Sequence, residues 1–119
     1  MNFDNSTPIY LQVINKIKTD IITGELNPGD KMPSTRDLAK ELGINPNTAS
    51  RVYKEMELLN LCFTKRGLGT FITESNDVVD TIKNEMANQL IDDFVEGMKK
   101  LGMSYDEMVK LILTKKNKA

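Results

Sequence analysis

Residues Glu41–Glu57 read ELGINPNTASRVYKEME, and how the middle of this stretch is parsed decides the fold. Gly43 stops one helical pattern, Ile44 is an apolar turn residue that can drop into a core, and Asn45 stands directly before a proline. Asn is among the best N-cap residues, and proline is tolerated at the first helical position because its missing N–H would be unpaired there anyway. Pro46 therefore starts a helix. At about 100° per residue, Ala49, Val52, Tyr53, Met56 and Leu59 fall on one side of it. Asn47, Thr48, Arg51, Lys54 and Glu55 fall on the other, with Ser50 at the flank.

Immediately upstream, Ser34 can cap a helix over "TRDLAKEL", with Asp37 placed to complement the free amides of its first turn and Leu38, Ala39 and Leu42 on its inner face. Two short helices joined by about three residues containing Gly make a helix-turn-helix. Further back, Ile9, Tyr10, Val13, Ile14, Ile17, Ile21 and Ile22 recur at helical spacing over Pro8 to Thr23. Thr7 is read as its cap and Gly24 as its end. Pro28-Gly29 marks a turn, and Lys31-Met32 is at most a short extended piece.

Downstream the period changes. "LCFTKRGLGTFIT" offers strands over Leu61–Lys65 and Thr70–Thr73 around a turn at Arg66–Gly69. Lys65 and Arg66 make the tip basic, and Gly67 and Gly69 let backbone approach a partner closely. Three helices followed by a basic hairpin form a winged helix-turn-helix. The expected fold class is mainly α with a small β-hairpin, followed by a two-helix C-terminal tail.

An outward polar helix face is ordinarily just solvated surface, and a hairpin needs glycines for its turn alone. The residue types at the start of the third helix carry the other reading: amides and hydroxyls bond base edges and phosphates, and Arg51 neutralises a phosphate. Composition narrows the classes. The chain has 119 residues, 39% hydrophobic and 28% charged, one Cys and no His. It is long enough for one small domain with an appendage. Without His the commonest general base and metal ligand is missing, so catalytic residues, metal and cofactor are all read as none, and the chain is not read as an enzyme. Cys62, within "LNLCF", reads as a buried strand residue. No apolar run reaches the roughly 20 residues of a membrane span, and the N-terminus lacks the regions of a signal peptide, which places the chain in the cytoplasm. Net charge is −1, so any affinity for nucleic acid must be local.

The stretch from Pro8 to Thr73 resembles the DNA-binding domain of the GntR family through Pro-x-Tyr-x-Gln, Gly-x-Leu-x-Pro-Gly, Pro-Ser-x-Arg-x-Leu-Ala, Leu-Gly, Asn-Thr and Gly-x-Gly-Thr-Phe. The resemblance implies a sequence-specific regulator of transcription contacting double-stranded DNA through Arg36, Asn45, Asn47, Thr48, Arg66 and Gly67. Ser34, Ser50 and Arg51 are its phosphate or flanking contacts. Pro46 stands where many members have arginine or serine, so one donor is missing from the turn that reads bases. A winged helix used for protein interaction without specific DNA binding is the alternative.

Residues 1–76 carry nine Lys or Arg against nine Asp or Glu, yet Asn45–Phe71 holds Arg51, Lys54, Lys65 and Arg66 against Glu55 and Glu57, a local +2. So small a patch implies weak binding by one copy, because affinity follows the number of phosphates neutralised. The domains are read as 1–76 for DNA and 77–119 for dimerisation. From Asp77, a candidate cap, Val78, Val79, Ile82, Met86, Leu90, Ile91, Phe94, Val95, Met98 and Leu101 stripe a helix ended by Gly102. Ser104 with Glu107 is a capping-box pattern for a last helix, and "TKKNKA" is expected to fray. Two helices cannot bury so much apolar surface alone, which points to a homodimer through residues 77–113 and a palindromic site. About 43 residues are too few to enclose a typical effector pocket of several hundred Å³, and the residues name no effector. The short tail resembles the YtrA subfamily, whose members often repress ABC-transporter operons.

Overall fold

A computed structural model of the chain describes residues 1–118. Five helices and one antiparallel hairpin follow the order α1 (Ile9–Thr23), α2 (Thr35–Leu42), α3 (Pro46–Leu58), β1 (Cys62–Lys65), β2 (Gly69–Ile72), α4 (Asn76–Lys100) and α5 (Tyr105–Lys118). The chain divides into two units, Met1–Ile82 and Lys83–Ala119. No described helix is long and apolar enough to cross a membrane.

In the first unit the apolar stripes predicted for three helices converge. Val13, Ile14, Ile17 and Ile21 of α1 meet Leu38 and Ala39 of α2 and Ala49, Val52, Tyr53 and Met56 of α3. Met56, Val52 and Val13 are fully buried, and side chains of that size each stabilise the fold by about 1.5–3 kcal/mol relative to exposure. The caps on either side of the turn form as read. Ser34 Oγ accepts from Asp37 N at 3.1 Å, and Asn45 Oδ1 accepts from Asn47 N at 2.8 Å. Between them Gly43 ends α2 at φ 65°, a left-handed conformation that glycine adopts without steric cost.

α3 ends one residue earlier than its pattern promised. Leu59, read as a core residue, is 48% exposed at the C-cap position. Asn60 then takes φ 60°, a region Asn tolerates better than most residues, and the chain turns to drive Leu61 into the core with no exposed surface. Strand alternation follows: Cys62 and Ile72 face inward as one register pair, while Phe63 and Phe71 pair on the opposite face. The second strand begins at Gly69, one residue before the expected start, because Gly69 already pairs with Lys65.

The segment before α2 is a working part of the sheet. Lys31 bridges Phe71, Gly29 N donates to Ile72 O at 3.0 Å, Ile72 N to Asp30 O at 2.8 Å, and Met32 N to Thr70 O at 2.7 Å. The Tyr53 hydroxyl, rising from the inner face of α3, donates to the carbonyl of Pro33. Burial pushes the phenol's pKa above its ordinary range, so it stays protonated as that donor.

Two of the three remaining expected caps resolve differently. Thr7 does not cap α1; Pro8 occupies the cap position in extended conformation, with no side-chain cap bond. Gln12 closes that end instead, its amide donating to Asp4 O at 2.9 Å and Thr7 O at 2.8 Å while Asp4 N donates to its Oε1 at 3.1 Å. Ser75, not Asp77, caps α4, its Oγ accepting from Val78 N at 3.3 Å. The capping box of α5 forms in full, Ser104 N donating to Glu107 Oε1 and Glu107 N to Ser104 Oγ, each at 3.2 Å. The tail expected to fray stays helical through Lys118, and Ala119 lies outside the described residues.

The apolar stripe of α4 is divided. Ile82 belongs to the core of the first unit, and Val78 and Val79 pack against it. In the second unit Met108 is the only buried side chain among the described residues, while Leu90, Ile91, Leu101, Val109, Ile112 and Leu113 are each at least 50% exposed.

Tyr53→Phe is expected to lower stability in urea unfolding by about 1–3 kcal/mol, since it strands the Pro33 carbonyl; an unchanged midpoint would show that this bond holds nothing. Cys62 is 5% exposed, and burial pushes its thiol pKa up to about 12. A thiol reagent at pH 8 is expected to leave the native protein unlabelled and to label it in urea, because the reactive form is the thiolate.

Candidate nucleic-acid interface

The residues singled out from sequence lie on three elements of the first unit. Ser34 and Arg36 sit at the start of α2, Asn45, Asn47, Thr48, Ser50 and Arg51 at the start of α3, and Arg66 and Gly67 in the loop between β1 and β2. Arg36, Asn47, Arg51, Arg66 and Gly67 are exposed, while Thr48 and Ser50 are half-buried.

Ser34 and Asn45 serve first as caps, with their side-chain oxygens already engaged. What remains for a partner is the Ser34 hydroxyl proton and the Asn45 side-chain NH₂. Asn47 and Thr48 occupy the first turn of α3, which carries no acidic residue. Backbone amides at such a terminus present partial positive charge, so this turn favours anions.

Arg36 lies in the first turn of α2, where the helix dipole disfavours a cation by about 0.3–1 kcal/mol. Ion pairs among the described residues are Lys16–Asp20 at 2.8 Å and Lys100–Glu96 at 3.5 Å. Arg36, Arg51, Lys54, Lys65 and Arg66 thus have no carboxylate partner among the described residues. A phosphate would relieve both the missing pairing and the dipole conflict at Arg36.

Arg51 is held by a residue that the sequence placed on the apolar face of α1. Its guanidinium lies 3.7 Å from the ring centroid of Tyr10. Stacking on an aromatic face limits the rotamers of a long side chain, so less order has to be imposed when it meets an anion. Tyr10 is the tyrosine of the Pro-x-Tyr-x-Gln motif, and Gln12 ties down the preceding arm. The motif is therefore an architectural clamp on α1, with one end supporting a cation of α3. Its signal in sequence was a tyrosine at the edge of an aliphatic stripe.

The three elements do not float independently. Tyr53 fixes α3 to Pro33, one residue before the cap of α2, and Met32 is bonded to the wing at Thr70. The chemistry gathered here is donors and cations. Among the described residues no group of three or more His, Cys, Asp or Glu could hold a metal ion. The arrangement suits recognition of a polyanion.

Comparison with known proteins agrees. The model for "Bacterial regulatory proteins, gntR family" matches residues 9–72. The HTH-type transcriptional regulator YhcF of Bacillus subtilis is 44% identical over 112 residues, covering 94% of this chain and 93% of its own. The HTH-type transcriptional repressor YtrA of the same organism is 39% identical over 100 residues, covering 79% and 77%. A solved GntR family transcriptional regulator from Listeria monocytogenes superposes with a TM-score of 0.87 at 38% identity, over 94% of this chain and 98% of that one. With the winged fold, the motifs and these relatives in agreement, the chain belongs to the gntR family of bacterial regulatory proteins, DNA-binding regulators of transcription.

Proposed function

We propose that this protein is a dimeric repressor that occupies a palindromic operator, with each winged unit reading one half-site. The observation that carries the reading is the set of cations without carboxylate partners among the described residues, spread over the starts of α2 and α3 and the wing loop. Arg36 and Arg51 clamp the phosphate backbone, with Ser34 and Ser50 as flanking donors. Asn47, Thr48 and Arg66 read base edges with help from the Asn45 amide, and Gly67 lets the wing backbone come close. Pro46 supplies no donor, so this turn reads fewer atoms than one with arginine or serine there.

Dimerisation falls to the second unit. One buried residue against six large apolar side chains at least half exposed is a surface that asks for a partner. A second copy of the same chain gives a closed two-fold arrangement, and it matches a symmetric DNA site. The relative YtrA is named a repressor, and the short helical tail supports placing this chain in a YtrA-like subfamily. A transporter operon is the corresponding target, read in the cytoplasm where the chromosome is. The winged domain and the dimerising tail divide near residue 76 by sequence, while Val78, Val79 and Ile82 serve the winged core.

An operator duplex selected by the wild-type protein from a random-sequence pool tests this directly. Arg36→Ala and Thr48→Ala are each expected to weaken its binding by about 1–3 kcal/mol with an unchanged Tm. Loss of the fold, or undiminished affinity, would remove these residues from the interface. A chain ended after Asn84 keeps the winged core complete; it is expected to sediment as a folded monomer with poor operator affinity. If that fragment bound as tightly as the full chain, the dimer would have no part in recognition.

A further inference from the structure

Beyond the wing tip, the wing has a face that the reading above leaves idle. Phe63 and Phe71 are cross-strand partners with ring centroids 5.8 Å apart and planes 23° from parallel. They lie on the side away from Cys62 and Ile72 and remain only partly buried. Lys65 extends over this platform, its Nζ 5.7 Å from the Phe63 centroid and 5.3 Å from that of Phe71.

A second ammonium reaches the same face from outside the hairpin. Lys31 is paired with Phe71, and its side chain runs across position 69. A Cβ there would lie 3.0 Å from Lys31 Cε and 3.8 Å from Nζ, so the flexible end of the lysine passes close over this position. Gly69 also sits at φ 124°, a conformation that L side chains rarely adopt. The backbone conformation is therefore what favours glycine at position 69, and the lysine passes beside it.

Two carboxylates near the hairpin are engaged elsewhere. Asp30 accepts from Asn27 N, and Glu57 accepts from the Thr64 hydroxyl, which lies on the opposite face from Phe63. Neither Lys31 nor Lys65 has an ion-pair partner among the described residues.

We propose that this outward wing face, with Lys65 set on the Phe63–Phe71 platform and Lys31 beside it, lies against the DNA phosphate backbone beside the wing tip. The inference rests on the DNA-binding reading above and adds two phosphate contacts to it. Charge complementarity favours DNA: the face presents two cations, and Arg66 and Gly67 continue directly from Lys65 into the tip. The rings hold the Lys65 ammonium in place through cation–π attraction and offer apolar surface to deoxyribose.

The test uses the full chain with Lys31→Met, Lys65→Met and the double variant, which keep the side-chain stems and remove the charges. Binding to the selected operator and to a mixed-sequence 30-bp duplex is followed over a range of KCl concentrations, with Lys31→Arg and Arg36→Ala as controls. Each Met variant is expected to flatten log K against log salt by about 0.9 and to weaken both duplexes by the same factor. The double variant is expected to lose about twice that slope, and Lys31→Arg to retain the wild-type slope, at unchanged Tm. If the Met variants keep the wild-type slope while Arg36→Ala weakens the operator, the wing-face contact is overturned and the DNA reading stands. If Arg36→Ala also has no effect, both fall together.

Discussion

The segment Gly29–Pro33 is the strap on which the interface depends. Its backbone is bonded to β2 on one side through Gly29, Asp30 and Met32, and its last carbonyl takes the Tyr53 hydroxyl of α3 on the other. α2 begins two residues later. The start of α2, the exposed side of α3 and the wing are therefore positioned by a single stretch of five residues. Protein interiors are packed tightly enough to transmit small displacements, so a shift at Met32, itself buried, reaches all three elements. Specific readout needs that rigidity, because bidentate contacts fail when their donors move by about an ångström.

Stability alone does not explain the electrostatics around this strap. An arginine in the first turn of α2 opposes the helix dipole, and the cations of the wing and α3 have no acidic partners among the described residues. A net charge of −1 conceals this arrangement, because the two described ion pairs involve none of these cations. Cations left without an ion pair at the starts of two helices mark a surface suited to an anionic partner. The Arg51–Tyr10 stack refines the picture, since it orders a cation in advance without cancelling its charge.

The sequence was most legible where structure is made by neighbours in the chain. Ser34 with Asp37, Asn45 with Pro46, and Ser104 with Glu107 behave as their spacing says, because a cap bond joins residues two or three apart. Legibility declined where a distant contact chose between local options. Thr7 was a sound cap by type, but Gln12 drew the arm into another conformation. Leu59 continued the apolar period of α3, yet Asn60 in a left-handed turn let Leu61 take the core position. Lys31 was legible as part of a short extended piece, but its partner was not, because the pairing with Phe71 spans 40 residues and only the folded sheet reveals it. Among the candidate site residues, exposure was read well for Arg36, Asn47 and Arg66, while the supporting roles of Tyr10 and Tyr53 were invisible to periodicity.

The second unit sets the final constraint on the proposed mechanism. A helical pair with one buried side chain gains little from its own packing, since folding must offset about 1–2 kcal/mol of backbone entropy per ordered residue. Its six widely exposed apolar side chains therefore tie the order of this region to what covers them. If that cover is a second copy, folding of the tail, dimerisation and DNA binding become linked equilibria. A half-site bound through few phosphates is weak, but a linked second unit meets its half-site at an effective concentration in the millimolar range. In that arrangement a modest basic patch is an advantage: each copy alone releases random DNA readily, and only a site presenting both half-sites retains the pair.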